Sequence, residues 1–168
     1  MEYKLIYSDR RTLSMSIKDG ELIIRAPKNV KNDVILKFIE KHSSWIKKNI
    51  EKSKKDTERF NGLTDSDILE LKKQAKKYFA LKTQYYSKIM NVNYGRITIT
   101  SAKTRFGSCS SKGNVSFSYR LMMYPEVARD YVVVHELAHR IEMNHSKRFY
   151  KIIENVFPDY KDRKRMLK

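Results

Sequence analysis

The sequence contains one cysteine, Cys109, among its 168 residues. A lone thiol cannot close an internal disulfide, and a cysteine-based zinc cluster needs several thiols. Any metal ion in this chain must therefore be held by nitrogen and oxygen ligands.

Long apolar segments are also missing. The chain has no apolar run of the roughly 18 residues that a membrane-spanning helix needs, and its N-terminus has no basic stretch followed by a long apolar one. We therefore expect a cytoplasmic protein with no membrane partner.

Acidic residues are few, with 19 Asp+Glu against 36 Lys+Arg, which gives a formal net charge of +17. A field of this sign attracts polyanions, so nucleic acid is a possible partner. Four lysines share one arc of a predicted helix and could follow a phosphate backbone or form a solvated face: Lys72, Lys73, Lys76 and Lys77. No helix-turn-helix or zinc-finger pattern accompanies them.

The length and the apolar content of 40% suit one domain spanning residues 1–168, with an N-terminal part at 1–60 and a catalytic core at 61–168. Alternating apolar and polar residues from Tyr3 to Ala26, with Asp19-Gly20 between two runs, predict a β-meander. A helix is predicted from Asn32 to about Lys52, followed by a connector over residues 51–67.

The second part alternates helices and short strands. A helix is predicted from Thr64 or Asp65 to about Met90, strands in RITITS, TRFGSC and NVSFSYRL, and a further helix that begins at Pro125. These elements predict an α+β fold with a mixed or antiparallel sheet.

Three of the four histidines lie within eleven residues of the stretch YVVVHELAHRIEMNHSKRFY, residues 131–150. His135 and His139 are four residues apart, so a helix directs both imidazoles at one point. Glu136 is rotated off that line and can reach a water molecule there. This HExxH spacing is typical of zinc peptidases, in which the glutamate acts as a base.

Apolar neighbours predict that this helix is mostly buried, and a buried carboxylate without a partner is costly. A divalent cation beside Glu136 removes that cost. The alternative is that Glu136 and the histidines face a wet groove and bond to the backbone.

Catalytic zinc takes three protein ligands and leaves one position open. A continuous helix would carry His145 about 9 Å beyond His139, so we expect a break, with Asn144 ending one helix and Ser146 capping the next. His145 at this elbow is the expected third ligand. Glu154, on the following helix, is the rival.

These motifs resemble the YgjP-like metallopeptidase family, whose relatives include the WLM and SprT-like zinc peptidases. The resemblance spans nearly the whole chain through SDRRTLSMSIKDGELIIRAP, KFIEKHSSWIKK, TRFGSC and HELAH followed by NHS. It implies a zincin-like metallopeptidase domain with Zn²⁺ on His135, His139 and His145 and with Glu136 as the catalytic base. The chain differs from the usual family pattern in having Phe106 in place of tryptophan and Ser118 where asparagine is common.

The expected activity is hydrolysis of peptide bonds in a protein or peptide substrate through a metal-activated water, with Glu136 as general base. The tetrahedral oxyanion needs a stabilising group, for which the candidates are Tyr119, Arg105, Arg120 and Tyr150. Two other functions stay open. The protein could be a nucleic-acid-associated SprT-like protein that acts on DNA-bound proteins, or a non-catalytic metal-binding interaction module.

Overall fold

The computed structural model describes residues 2–18 and 20–167, and the chain divides into two compact units, Met1–Gly62 and Leu63–Lys168. The predicted internal boundary near residue 60 lies close to this division. That the two parts make one metallopeptidase domain stays a prediction. Among the described residues, no helix is both long enough and apolar enough to cross a membrane.

A three-stranded sheet forms the frame of the first unit. Its strands are β1 (Tyr3–Ser8), β2 (Ser14–Lys18) and β3 (Glu21–Pro27), in the order β1-β3-β2. β2 and β3 pair antiparallel, as the hairpin signal predicts, and Gly20 before β3 has a φ of +84° that suits glycine. Asp19, the other residue of the predicted turn, lies outside the described residues.

The predicted β-meander is wrong in the pairing of its first strand. β1 runs parallel to β3, with Tyr3 opposite Leu22, and does not pair with β2 in the sheet order. β3 buries apolar side chains on both faces, since Ile23 and Ile24 are adjacent and both buried. A strand of this kind gains most from a central place with a neighbour on each edge.

Two helices stand where one was predicted. α1 (Asn32–Lys41) ends at His42, whose Nδ1 lies 2.8 Å from the carbonyl oxygen of Phe38, and α2 (Ser43–Phe60) follows directly. Residues 51–60, predicted as a connector, are therefore helical. The helices cover the sheet through Ile35 and Ile46, which are fully buried with the inner side chains of β3.

The second unit begins with a long helix, α3 (Asp65–Ile89), at the place predicted. Its start is fixed by a capping box, in which the Thr64 side chain accepts from the backbone N–H of Asp67 and the Asp67 side chain accepts from that of Thr64.

A second small sheet lies in this unit. Its strands β4 (Ile97–Thr100), β5 (Gly107–Cys109) and β6 (Val115–Ser118) have the order β4-β6-β5, with β4 parallel and β5 antiparallel to β6. Phe117 of β6 stacks on Phe79 of α3 at 4.5 Å between ring centroids, which joins sheet and helix in one core. The molecule is therefore a mixed α+β protein with small mixed sheets.

A 3-10 helix (Tyr119–Met123) leads from β6 into α4 (Glu126–Ala138), and the chain continues through α5 (Lys147–Val156) and α6 (Tyr160–Arg165). α4 is the central helix of this part, because nine of its thirteen residues are buried.

A buried carboxylate fixes α4 against α3. Asp130 of α4, 6% exposed, accepts hydrogen bonds from the hydroxyls of Tyr78 and Tyr86 and pairs with the Lys82 ammonium at 2.8 Å. Burial is the main reason why the pKa of both phenols is raised, and the hydrogen bond to Asp130 is the second. Both phenols therefore stay protonated and act as donors. The three donors are four residues apart on α3, so they form one row along the helix.

Candidate metal centre

α4 presents His135 on its partly exposed side and ends at His139, which is its C-cap residue. The end of the helix is tightened by backbone bonds from the N–H groups of Arg140 and Ile141 to the carbonyls three residues earlier, at 2.9 and 3.0 Å. The helix thus ends five residues before Asn144, where the break was predicted. Asn144 is not left-handed either, since Asn91 is the only non-glycine residue of the described chain with a positive φ.

The chain then turns back into α5, as predicted. The Ser146 side chain accepts from the backbone N–H of Phe149 and caps the helix. His145 therefore lies at the elbow between the two helices, on the side of the pair at 135 and 139.

The structure brings the three predicted ligands together. One ring nitrogen from each of His135, His139 and His145 lies within 4.8 Å of the other two. The Nε2 atoms of His135 and His145 are 3.1 Å apart. Two imidazole nitrogens on one tetrahedral zinc ion, each with a bond of about 2.0–2.1 Å, lie roughly 3.3 Å apart. The spacing of this pair therefore fits a shared divalent ion.

Phe149 is the apolar floor under the three imidazoles. Its ring centroid lies 4.9 Å from that of His135, 4.6 Å from that of His139 and 4.7 Å from that of His145. Because Phe149 is fully buried and belongs to the first turn of α5, it fixes the three rings against one rigid surface.

Two contacts behind the rings orient them. The Nδ1 atom of His139 lies 3.3 Å from the backbone carbonyl oxygen of Glu142, and that of His135 lies 3.4 Å from the Tyr131 hydroxyl. The carbonyl can only accept, so Nδ1 of His139 carries the proton and its Nε2 has the free lone pair that a metal requires.

Burial keeps the two helix histidines neutral. It lowers the pKa of His135 to about 3, with smaller contributions from the positive charges of neighbouring imidazoles and Lys164. Burial is also the main reason why the pKa of His139 is lowered. Neutral imidazoles are the form that binds metal, so no proton has to leave these two rings near neutral pH.

Glu136, the next residue of α4, is buried and only 4% exposed. Burial raises its pKa to about 8, and the positive charge of Arg105 acts in the opposite direction. A nearby divalent cation would favour the ionised carboxylate.

Gly107, at the start of β5, packs directly on this carboxylate. A Cβ atom built on Gly107 would lie 2.6 Å from Oε1 of Glu136. Sequence reasoning missed this contact, because the only signal was a glycine two residues after Arg105 in the strand TRFGSC. It also missed the buried Asp130, the aromatic floor and Tyr131.

Arg140 joins the end of α4 to the loops around the second sheet. Its Nε donates to the carbonyl of Asn93 at 3.0 Å and its NH1 to that of Ser111 at 3.2 Å. The guanidinium lies against Gly113, where a Cβ would approach it to 2.9 Å. Cys109 lies nearby, and burial raises the pKa of its thiol, so this cysteine is held in the neutral form.

The other predicted residues lie elsewhere. Glu154, the rival ligand, is paired with Lys151 at 2.8 Å and is outside the histidine group. Among the oxyanion candidates, Tyr119 is buried with the Lys72 ammonium over its ring, Arg120 is partly buried in the 3-10 helix, and the Tyr150 ring lies 6.3 Å from that of His145. Arg105 is the candidate whose charge acts on Glu136.

The lysine arc on α3 gives no support to nucleic-acid binding. Three of its members are exposed, which is typical of an ordinary solvated helix face: Lys73, Lys76 and Lys77. Lys72 instead packs its ammonium 5.7 Å from the centre of the Tyr119 ring.

The metal-free protein is expected to lose stability as the pH rises from about 6.5 to 8. An acid whose pKa is near 8 when folded and near 4.5 when unfolded binds more proton in the folded state, so the free energy of unfolding falls with pH in this window. The opposite effect of His135, whose pKa falls on folding, acts below pH 6.5. Between pH 6.5 and 8 the free energy of unfolding should fall by about 1–2 kcal/mol.

Chemical denaturation in excess chelator at pH 6.5 and 8 measures this loss, and Glu136→Gln should remove it. Parallel stability curves for the two proteins would show that Glu136 does not titrate in this window.

A family model described as "YgjP-like, metallopeptidase domain" matches residues 11–70 and 67–168. Among solved structures, the crystal structure of the metallopeptidase zymogen of Pyrococcus abyssi abylysin is similar, with 21% identity, 53% of this chain and 90% of that chain covered, and a TM-score of 0.49. No curated protein gives a significant match.

Proposed function

This chain belongs to the YgjP-like metallopeptidase family, and on that premise we propose that it is a zinc-dependent peptidase. His135, His139 and His145 would hold the metal, and Glu136 would act as general base. One observation carries the proposal: three imidazole nitrogens converge within 4.8 Å of one another. The residue that follows the first of these histidines is a buried glutamate.

The donor set favours zinc. Three neutral imidazoles suit a borderline-soft ion such as Zn²⁺, whereas Mg²⁺ and Ca²⁺ prefer oxygen ligands. Three imidazole ligands would leave one position of a tetrahedral zinc ion for water or substrate, as in catalytic zinc sites, whereas structural zinc has four protein ligands. The open position argues against a purely structural module.

Bound zinc would supply Lewis acidity, which polarises the scissile carbonyl and makes a water molecule easier to deprotonate. Glu136 would accept the proton from that water and return it to the leaving amine. Its buried position keeps bulk water from competing for the proton, and the positive charge of Arg105 helps to hold the carboxylate ionised before the transfer.

The neighbouring strand offers a surface for an extended substrate. β5 is an outer strand in the order β4-β6-β5, and its first residue packs on Glu136. A peptide that added to the outer edge of β5 would run along the strand that contacts the base, and its backbone would be aligned by hydrogen bonds. Because these hydrogen bonds involve only the substrate backbone, proteins or peptides of varied sequence fit this geometry.

The decisive experiment combines metal analysis with a cleavage assay. Purified protein is stripped with a chelator, reloaded with zinc and incubated with unfolded proteins and a peptide mixture, and new termini are identified by mass spectrometry. We expect one zinc ion per chain and cleavage that chelation abolishes and zinc restores. Stoichiometric zinc without cleavage of any substrate would favour the metal-binding interaction module.

A further inference from the structure

β5 approaches Glu136 so closely that a side chain at position 107 would have to displace the glutamate. A Cβ atom on Gly107 would lie 2.6 Å from Oε1, 2.8 Å from Cγ and 2.9 Å from Cδ of Glu136. Non-bonded carbon atoms prefer separations of about 3.5–4.0 Å, so an added methyl group would overlap the carboxylate. The side chain of Glu136 thus lies in the space that a side chain at position 107 would occupy.

Backbone conformation does not explain this glycine. The described glycines with positive φ are Gly20, Gly62 and Gly113, and Gly107 is not among them. Its two successors, Ser108 and Cys109, continue the same strand with ordinary side chains. Space for Glu136 is therefore the property that only glycine supplies at this position.

Neither the backbone of α4 nor that of β5 can easily move away from the contact. α4 is held by Val133 and Leu137, both fully buried, on either side of Glu136. The residue before Gly107 is fixed as well, because the Phe106 carbonyl accepts from the backbone N–H of Ser118 at 2.8 Å and its ring packs on Tyr124. An added methyl group would displace the more mobile partner, which is the carboxylate.

A second glycine contact lies further along the same hairpin. Gly113 faces the guanidinium of Arg140, four residues after Glu136, where a Cβ would approach the side chain to 2.9 Å. The β5–β6 hairpin is thus docked on the end of α4 at two glycines, one against the acid and one against the arginine.

We propose that Gly107 is a positioning residue for the reaction: because it has no side chain, it leaves the space on β5 in which the Glu136 carboxylate is held in place. The inference rests on the proposed function for its catalytic consequence, whereas the placement of the carboxylate can be tested without turnover.

Gly107→Ala is the direct test. The zinc-loaded variant should keep one metal per chain and a KM within a few fold of the original, while kcat falls by about 100-fold, since a displacement of about 1 Å has a cost of this size. Crystal structures of both zinc-loaded proteins should show the carboxylate moved by about 1 Å or more with the three imidazoles unmoved. A kcat within about threefold of the original, or an unmoved carboxylate, would overturn the inference.

A double-mutant cycle separates the direct contact between positions 107 and 136 from a general effect of the substitution on the fold. Glu136→Asp shortens the acid by one methylene and makes room for the methyl group, so adding Gly107→Ala to it should lower kcat by less than about tenfold. An equal cost in both backgrounds would contradict a direct contact effect.

Gly113→Ala is the matched control, because it fills the other glycine contact of the hairpin. It should lower stability, since it strains a φ of +81° and crowds Arg140, but should leave kcat of the folded enzyme within about threefold. A loss equal to that of Gly107→Ala would assign the effect to hairpin docking and overturn the role of Gly107. If the original zinc-loaded protein cleaves nothing, the proposed function fails, and the two crystal structures still decide whether Gly107 places the carboxylate.

Discussion

Zinc-loaded Glu136→Gln protein should keep its metal and its fold and lose turnover by about 1000-fold, within the range typical of general acid–base catalysis. Glutamine has nearly the same shape as glutamate, so it can occupy the space beside Gly107 without a new clash. It cannot accept a proton from water near neutral pH, however. The histidine group does not include Glu136, so the substitution leaves the proposed ligands intact.

The measurement is kcat per zinc-loaded chain, with product termini identified by mass spectrometry and metal content determined on the same sample. Thermal or chemical denaturation shows that both proteins are folded. Substantial activity in the metal-loaded Glu136→Gln protein would refute the assignment of the base, and loss of the metal would show that the carboxylate also serves as a ligand.

Burial of this carboxylate has a cost that an ordinary core position does not have. Glu136 is 4% exposed, and burial raises its pKa to about 8. Without a cation, the chain therefore keeps a largely protonated acid in its interior at neutral pH. The other buried carboxylate of this helix, Asp130, is bonded to two hydroxyls and an ammonium of α3. The described residues of α3 provide no such set of donors for Glu136, so the proposed role explains its burial.

The local parts of the site could be predicted from the sequence. The four-residue spacing of His135 and His139 fixes their common direction as soon as a helix forms. The cap at Ser146 depends only on its own side chain and the next turn of backbone. His145 follows from these two features, because the chain between two helix ends is too short to carry it far away.

Features that depend on contacts between distant parts of the chain could not be predicted from the sequence. The alternation in the first 27 residues predicts strands but not that β1 pairs parallel with β3, which depends on where the most apolar strand is best covered. The space that Glu136 occupies beside Gly107 exists only once β5 packs on α4. Nothing in the sequence of the strand distinguishes this glycine from one in a turn. Asp130 was missed for a similar reason, because its three donors come from a helix more than forty residues earlier.

Replacing His145 with alanine should weaken zinc binding by more than about 100-fold. The loss of a partner behind a ligand typically lowers metal affinity ten- to hundredfold, and the loss of the ligand itself should cost more. His145 is well suited to this test because it is exposed, in contrast to the core residues of α4, so its removal should leave the fold intact. Affinity is measured by competition with a chromogenic chelator.

Glu154→Gln is the control that decides between the two ligand assignments. Glu154 is engaged by Lys151 at 2.8 Å, and the structure places it outside the group formed by the three imidazoles. The variant should therefore bind zinc as tightly as the original protein. The reverse result, with affinity kept in His145→Ala and lost in Glu154→Gln, would transfer the third position to the carboxylate. A zinc ion held by two histidines and a carboxylate has a lower net charge than one held by three imidazoles, so the reversal would also imply a less acidic water at the site.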